Sequence, residues 1–132
     1  MPLRNVIDKE RRLVHTIGWD RLTFAQTKSL QEQLLNDPDF DPTFNQLIDL
    51  TALTGLGMST EETKWLAGRE VFSPSSRRAF VATNPAVFGM CRLYEACHHG
   101  SREHAQVAVF SGLDEALHWL GLEAIPDFIK SD

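Results

Sequence analysis

Leu3, Asn5 and Ile7 alternate with Arg4 and Val6 at the start of the chain. A second short apolar-polar segment, Arg12 to Gly18, follows the charged run Asp8-Lys9-Glu10-Arg11. This two-residue period predicts a β-hairpin with a charged turn. The period then changes to that of a helix. Phe24, Thr27, Leu30 and Leu34 share one face, and Lys28, Gln31 and Glu32 lie elsewhere. Thr23 with Gln26 three residues later forms a capping-box pattern, and Asp37-Pro38 ends the helix. Phe44 to Leu50 predicts a strand covered on both faces. Thr51 to Met58 reads as a loop. Ser59 then caps a second helix with Glu62 as its box partner, and Trp65, Leu66, Arg69 and Phe72 mark one side.

Ser73-Pro74-Ser75-Ser76 is a turn, and Arg78 to Thr83 is a strand. Asn84-Pro85 opens a third helix, since Asn caps well and Pro suits the first helical position. Val87, Met90, Cys91, Tyr94 and Cys97 carry its spacing, with Gly100 as a C-terminal stop. Ala105 to Phe110 is the last strand. Ser111-Gly112 leads into a fourth helix through Leu113, Ala116, Leu117 and Leu120, ended by Gly121. The order β-β-α-β-α-β-α-β-α predicts a single α/β domain over residues 1–122, with a mixed, mostly parallel five-stranded sheet and four helices. Residues 123–132 form a C-terminal tail.

Composition narrows the function. The chain has 132 residues, enough for one core, with 42% hydrophobic and 23% charged residues. Thirteen Lys and Arg stand against 18 Asp and Glu, a net charge of −5 with no basic stripe. That balance argues against nucleic-acid binding. No apolar run approaches the roughly 18 residues of a transmembrane helix. The N-terminal residues lack the apolar stretch of a signal peptide. Cys91 and Cys97 sit six apart in one predicted helix, on different sides, so they are not expected to pair. Two reduced cysteines fit a cytoplasmic protein.

The stretch Asp49-Leu50-Thr51-Ala52-Leu53-Thr54-Gly55-Leu56-Gly57-Met58-Ser59 resembles the strand-loop-helix signature of STAS domains, the anti-sigma-factor antagonist fold. The element order is similar over about residues 3–122. Phe44 to Leu50 and Ala116-Leu117-His118-Trp119-Leu120-Gly121 look closer to a bacterial SpoIIAA-like branch, sometimes grouped with SEC14-type lipid carriers. The resemblance implies a regulatory, partner-binding domain. It also implies a phosphorylatable Ser after an Asp, at positions that here hold Gly57 and Met58. Methionine has no hydroxyl, so that switch cannot operate there. Ser59 carries a hydroxyl, but its simpler role is the helix cap.

Other chemistry-bearing groups fall short of a motif. Asp37, Asp39 and Asp41 have a calcium-loop spacing, but Pro42 and Ile48 stand where Gly and Glu belong. Cys97, His98, His99 and His104 show no zinc-ligand spacing. Gly55-x-Gly57 lacks the rest of a phosphate loop. Asp49 and His15 read as a strand-end carboxylate and a sheet-face histidine. Arg77-Arg78 with Arg69 and Lys64 reads as a solvated basic spot. Trp65, Tyr94 and Trp119 read as core or core-edge residues. No cofactor is implied.

Parallel strands direct attention to their C-terminal ends, where Ser59, Asn84 and Ser111 are expected to cap three helices. Thr54, Gly57, Met58, Ser59, Asn84 and Ser111 are therefore the candidate ligand- or partner-binding residues. A protein partner is the first expectation, with contact area from Leu53, Leu56 and Met58, and a homodimer is allowed. The alternative is a small carrier of an apolar or lipid-like ligand, with Trp65, Phe80, Phe88, Met90 and Tyr94 lining an internal cavity.

Overall fold

The computed structural model of the protein describes residues 3–98 and 105–122. In chain order the elements are β1 (Leu3–Asp8), β2 (Leu13–Thr23), α1 (Phe24–Leu35), β3 (Asn45–Gly57), α2 (Thr60–Ala67), β4 (Arg77–Val81), α3 (Pro85–His98), β5 (Gln106–Phe110) and α4 (Leu113–Trp119). The strands form one five-stranded sheet in the order β1-β2-β3-β4-β5. β1 is antiparallel to β2, and the other three pairings are parallel. The predicted element order and mixed sheet are thus present. Gly100, His99, His104 and the tail 123–132 lie outside the described residues.

The topology decides which face each helix covers. The order β2-β3-β4-β5 advances in one direction without reversal, so right-handed crossovers put all three connecting helices on the same face. Ile48, Leu50, Phe80 and Ala82 meet Leu30, Leu66, Val87, Cys91 and Tyr94 there. α4 follows the last strand, has no crossover to make, and packs on the other face. Ala116, Leu117 and Leu120 there cover Leu13, Leu47, Ala79 and Val81. The alternation of Leu47 and Ile48 between the two clusters is the two-residue period of a strand buried on both sides.

Two features depart from expectation. Thr51 to Gly57 is not a loop. It continues β3, paired with the second half of β2 from Trp19↔Ala52 to Thr23↔Gly57, while β4 stops opposite Asp49. The register shifts between Ile17 and Trp19 and between Asp20 and Arg21. Asp20 takes a left-handed φ of 60°, which Asp tolerates better than most residues. Thr54 Oγ1 donates to the Asp20 carbonyl at 3.1 Å across this irregularity. The second helix is also shorter than its apolar spacing suggested. It ends at Ala67, and Phe72 lies beyond it.

Candidate functional site

An opening lies between the three covering helices and the middle of the sheet. It is partly open to solvent, and its cavity volume, counted as the space that water-sized centres can occupy, is about 110 Å³. Its walls are mostly apolar: Leu30 and Leu34 of α1, Leu66 of α2, Val87 and Cys91 of α3, and Ile48, Leu50 and Phe80 of the sheet. α2 packs closely on α3 and only lightly on α1, which leaves the space between them. The seam from α1 to α2 is closed at the surface by Phe24 edge-on to Trp65, with centroids 5.3 Å apart, and by Arg69 Nη1 donating to Gln31 Oε1 at 3.3 Å.

A polar row crosses the cavity floor. Arg78 Nε donates to Gln46 Oε1 at 2.8 Å, and Arg78 Nη1 donates to Tyr94 Oη at 2.7 Å. Gln46 Nε2 donates to Thr16 Oγ1 at 2.7 Å, and Thr16 Oγ1 donates to Asn5 Oδ1 at 2.6 Å. All five residues line the cavity. They come from β1, β2, β3, β4 and α3, each supplying one side chain from an inward-facing position. Arg78 is only 6% exposed, and its guanidinium lies over the rings of Phe72, Tyr94 and Phe80 at 4.9, 5.4 and 5.8 Å. Ring faces attract a cation and offset part of the cost of burying it. Arg78 is therefore not part of a solvated basic spot. Its neighbour Arg77 is exposed, its guanidinium bonded to the Trp119 carbonyl oxygen.

The sequence-derived candidates are placed as follows. Ser59 accepts from Glu62 N at 3.1 Å, while Glu62 accepts from Ser59 N at 2.9 Å, a complete capping box. Asn84 Oδ1 accepts from Ala86 N and Val87 N at the start of α3. Ser111 does not cap α4. Gly112 occupies that N-cap with no side-chain bond, and Ser111 is exposed. Gly57 ends β3 opposite Thr23, and Thr54 is the exposed stitch to Asp20. Met58 alone of the six lines the cavity. Leu53 is buried, and Leu56 and Met58 are half-buried against the same core, each with part of its side chain still at the surface. Because the strand order never reverses, no switch-point crevice forms at the strand ends.

Of the five residues expected to line an internal cavity, Phe80, Met90 and Tyr94 do so, and Phe88 and Trp65 do not. Trp65 is 46% exposed, with Lys28 and Arg69 over its ring at 5.4 and 4.9 Å. Of the Asp37, Asp39 and Asp41 carboxylates, two are engaged in local turns, Asp37 accepting from Asp39 N and Asp41 from Thr43 N and Oγ1, and Asp39 accepts from Lys9 Nζ at 3.3 Å. The Thr43 bonds hold the Asp41 carboxyl below its usual range. Asp49 likewise accepts from Thr51 N and Oγ1, in mid-strand rather than at a strand end. No group of three metal-capable side chains occurs among the described residues. None of their helices is long and apolar enough to cross a membrane.

Cys91 reports on the cavity. Burial pushes its thiol up to about 12. At pH 8 roughly one such thiol in ten thousand is ionised. Iodoacetamide is expected to label the half-buried Cys97 in native protein and to leave Cys91 unmodified until unfolding, read by peptide mass mapping. Equal native labelling of both would show that the cavity wall opens readily.

No protein-family model matches the chain. No curated protein matches it either. A solved structure does: an uncharacterized protein of the DUF3478 family with a SpoIIAA-like fold, from Shewanella loihica PV-4. The two chains are 19% identical, the match covers 89% of this chain and 91% of that one, and the TM-score is 0.56. This chain has a SpoIIAA-like fold.

Proposed function

We propose that the domain binds a small apolar or amphipathic molecule between α1–α3 and the sheet, as a carrier or as the sensing part of a regulatory protein, and catalyses no reaction on it. The cavity itself carries this reading. Interiors normally pack to crystal density with few voids larger than a water. An open space lined by leucine, isoleucine, valine and phenylalanine is what an apolar ligand site requires. A polar row on one wall supplies orientation. Both cysteines are free thiols, which supports a reducing, cytoplasmic setting. A protein partner remains compatible with this function. Its surface would draw on exposed side chains such as Trp65 and on the half-buried Leu56 and Met58, Leu53 being buried.

Native mass spectrometry of freshly purified protein, with denatured mass alongside, tests the reading and also reports any homodimer. Extra mass that is lost on denaturation is the expected result. A ligand that binds only the folded state also raises Tm with its concentration. Added 1-octanol or octanoate should therefore raise the Tm of ligand-free protein. A bare native mass together with no Tm response to either compound would overturn the proposal.

A further inference from the structure

The polar row on the cavity floor has a fixed direction. Arginine has five donors and no acceptor, and it does not deprotonate in proteins. Gln46 must therefore turn its oxygen to Arg78 and its amide nitrogen to Thr16. The Thr16 hydroxyl, accepting from Gln46, donates its own hydrogen bond to Asn5 Oδ1. Each acceptor oxygen in the row is thus engaged at least once, and unpartnered N–H and O–H hydrogens are left at its arginine end. Beyond its ring contacts, Arg78 has no hydrogen-bond acceptor for Nη2 or the second Nη1 hydrogen among the described residues, and neither has the Tyr94 hydroxyl proton. Among the described residues Arg78 is also the only charged one lining the cavity, and no carboxylate of theirs pairs with it. A buried charge is costly unless paired.

We infer that the cavity's occupant is an amphipathic monocarboxylate, its carboxylate held end-on by the Nη1 and Nη2 edge of Arg78 and by the Tyr94 hydroxyl, its apolar body against the helix wall. The inference rests on the cavity reading above and names the ligand class for it. A planar carboxylate matches the guanidinium fork bidentately. A phosphate monoester brings nearly two charges to a site with one cation. The apolar walls favour a molecule with a hydrocarbon body over a free inorganic anion.

The test is titration calorimetry with octanoate, 1-octanol and acetate on ligand-free protein. Octanoate is expected to bind about tenfold or more tighter than 1-octanol, the scale of a charge-assisted hydrogen bond. Acetate, which has the head but almost no body, should bind far more weakly than octanoate. In Arg78→Met the preference for octanoate over 1-octanol should vanish while 1-octanol still binds. Tyr94→Phe keeps the ring over Arg78 and removes only the hydroxyl, so it should reduce octanoate affinity several-fold and leave 1-octanol unchanged. It provides the test if Arg78→Met does not fold. Equal binding of octanoate and 1-octanol by the wild type, or an undiminished preference in either variant, would overturn the monocarboxylate assignment and leave the apolar cavity standing. Failure of both compounds to bind would remove the cavity reading with it.

Discussion

Gln46→Leu is expected to destabilise the protein by about 3 kcal/mol, whereas Gln46→Glu should leave it within about 1 kcal/mol of the wild type. Gln46 is 6% exposed and joins Arg78 to Thr16. Leucine matches its bulk but accepts nothing, so Arg78 Nε loses its partner in a buried site. Removing one side of a buried polar contact costs far more than the contact contributes on balance, because the remaining group keeps its desolvation penalty. Glutamate keeps the acceptor and adds a negative charge that no carboxylate among the described residues brings to Arg78. Its loss is limited to the bond to Thr16, which retains Asn5 as acceptor. Urea unfolding, compared at equal m-values, measures both changes. The same variant bears on the ligand. The introduced carboxylate neutralises Arg78 from within, so the advantage of octanoate over 1-octanol should disappear in a protein that is still folded. Comparable stability losses in both variants would show that shape at position 46, and not hydrogen bonding, is what the floor requires.

Much of the fold was legible because it is written locally. The capping boxes at Thr23-Gln26 and Ser59-Glu62 lie within four residues of chain, and both form as expected. So does the Asn84 cap. The continuation of β3 was not legible, because its alternation is interrupted and its partner is the far half of β2, whose own register slips around Asp20. Thr54, Gly55 and Gly57 read as loop residues when only their own propensities are considered, and long-range pairing overrides that preference. The cavity floor was hidden for a related reason. Thr16 and Gln46 are 30 residues apart, and Gln46 and Arg78 are 32 apart, so no motif spacing joins them. Arg78 beside Arg77 looks like a solvated charge pair, yet alternation along β4 sends one outward and the other inward. The available signal was weak: Thr16, Gln46 and Arg78 each occupy an inward strand position, beside the apolar Val14, Ile48 and Phe80.

Leu47→Ala should cost about 4 kcal/mol, and Leu30→Ala only about half as much in ligand-free protein. Both leucines are buried, at 0% and 7% exposure. They differ in what lies beyond them. Leu47 is enclosed between the sheet and α4 by Leu13, Ala79, Val81 and Leu117. Truncating it opens a new void in close-packed surroundings, and the cost grows with the void. Leu30 forms part of the wall of a space that already exists. One side of its side chain has few partner atoms, so fewer dispersion contacts are lost on truncation. The comparison changes if the cavity is occupied. An apolar body seated against Leu30 supplies the missing contacts, and the measured cost of Leu30→Ala should then rise toward that of Leu47→Ala. Paired denaturation curves of the two variants, with and without saturating octanoate, therefore report on filling of the cavity through stability alone. A Leu30→Ala cost equal to that of Leu47→Ala in demonstrably ligand-free protein would mean that the helices close over the sheet in solution and that no such space persists.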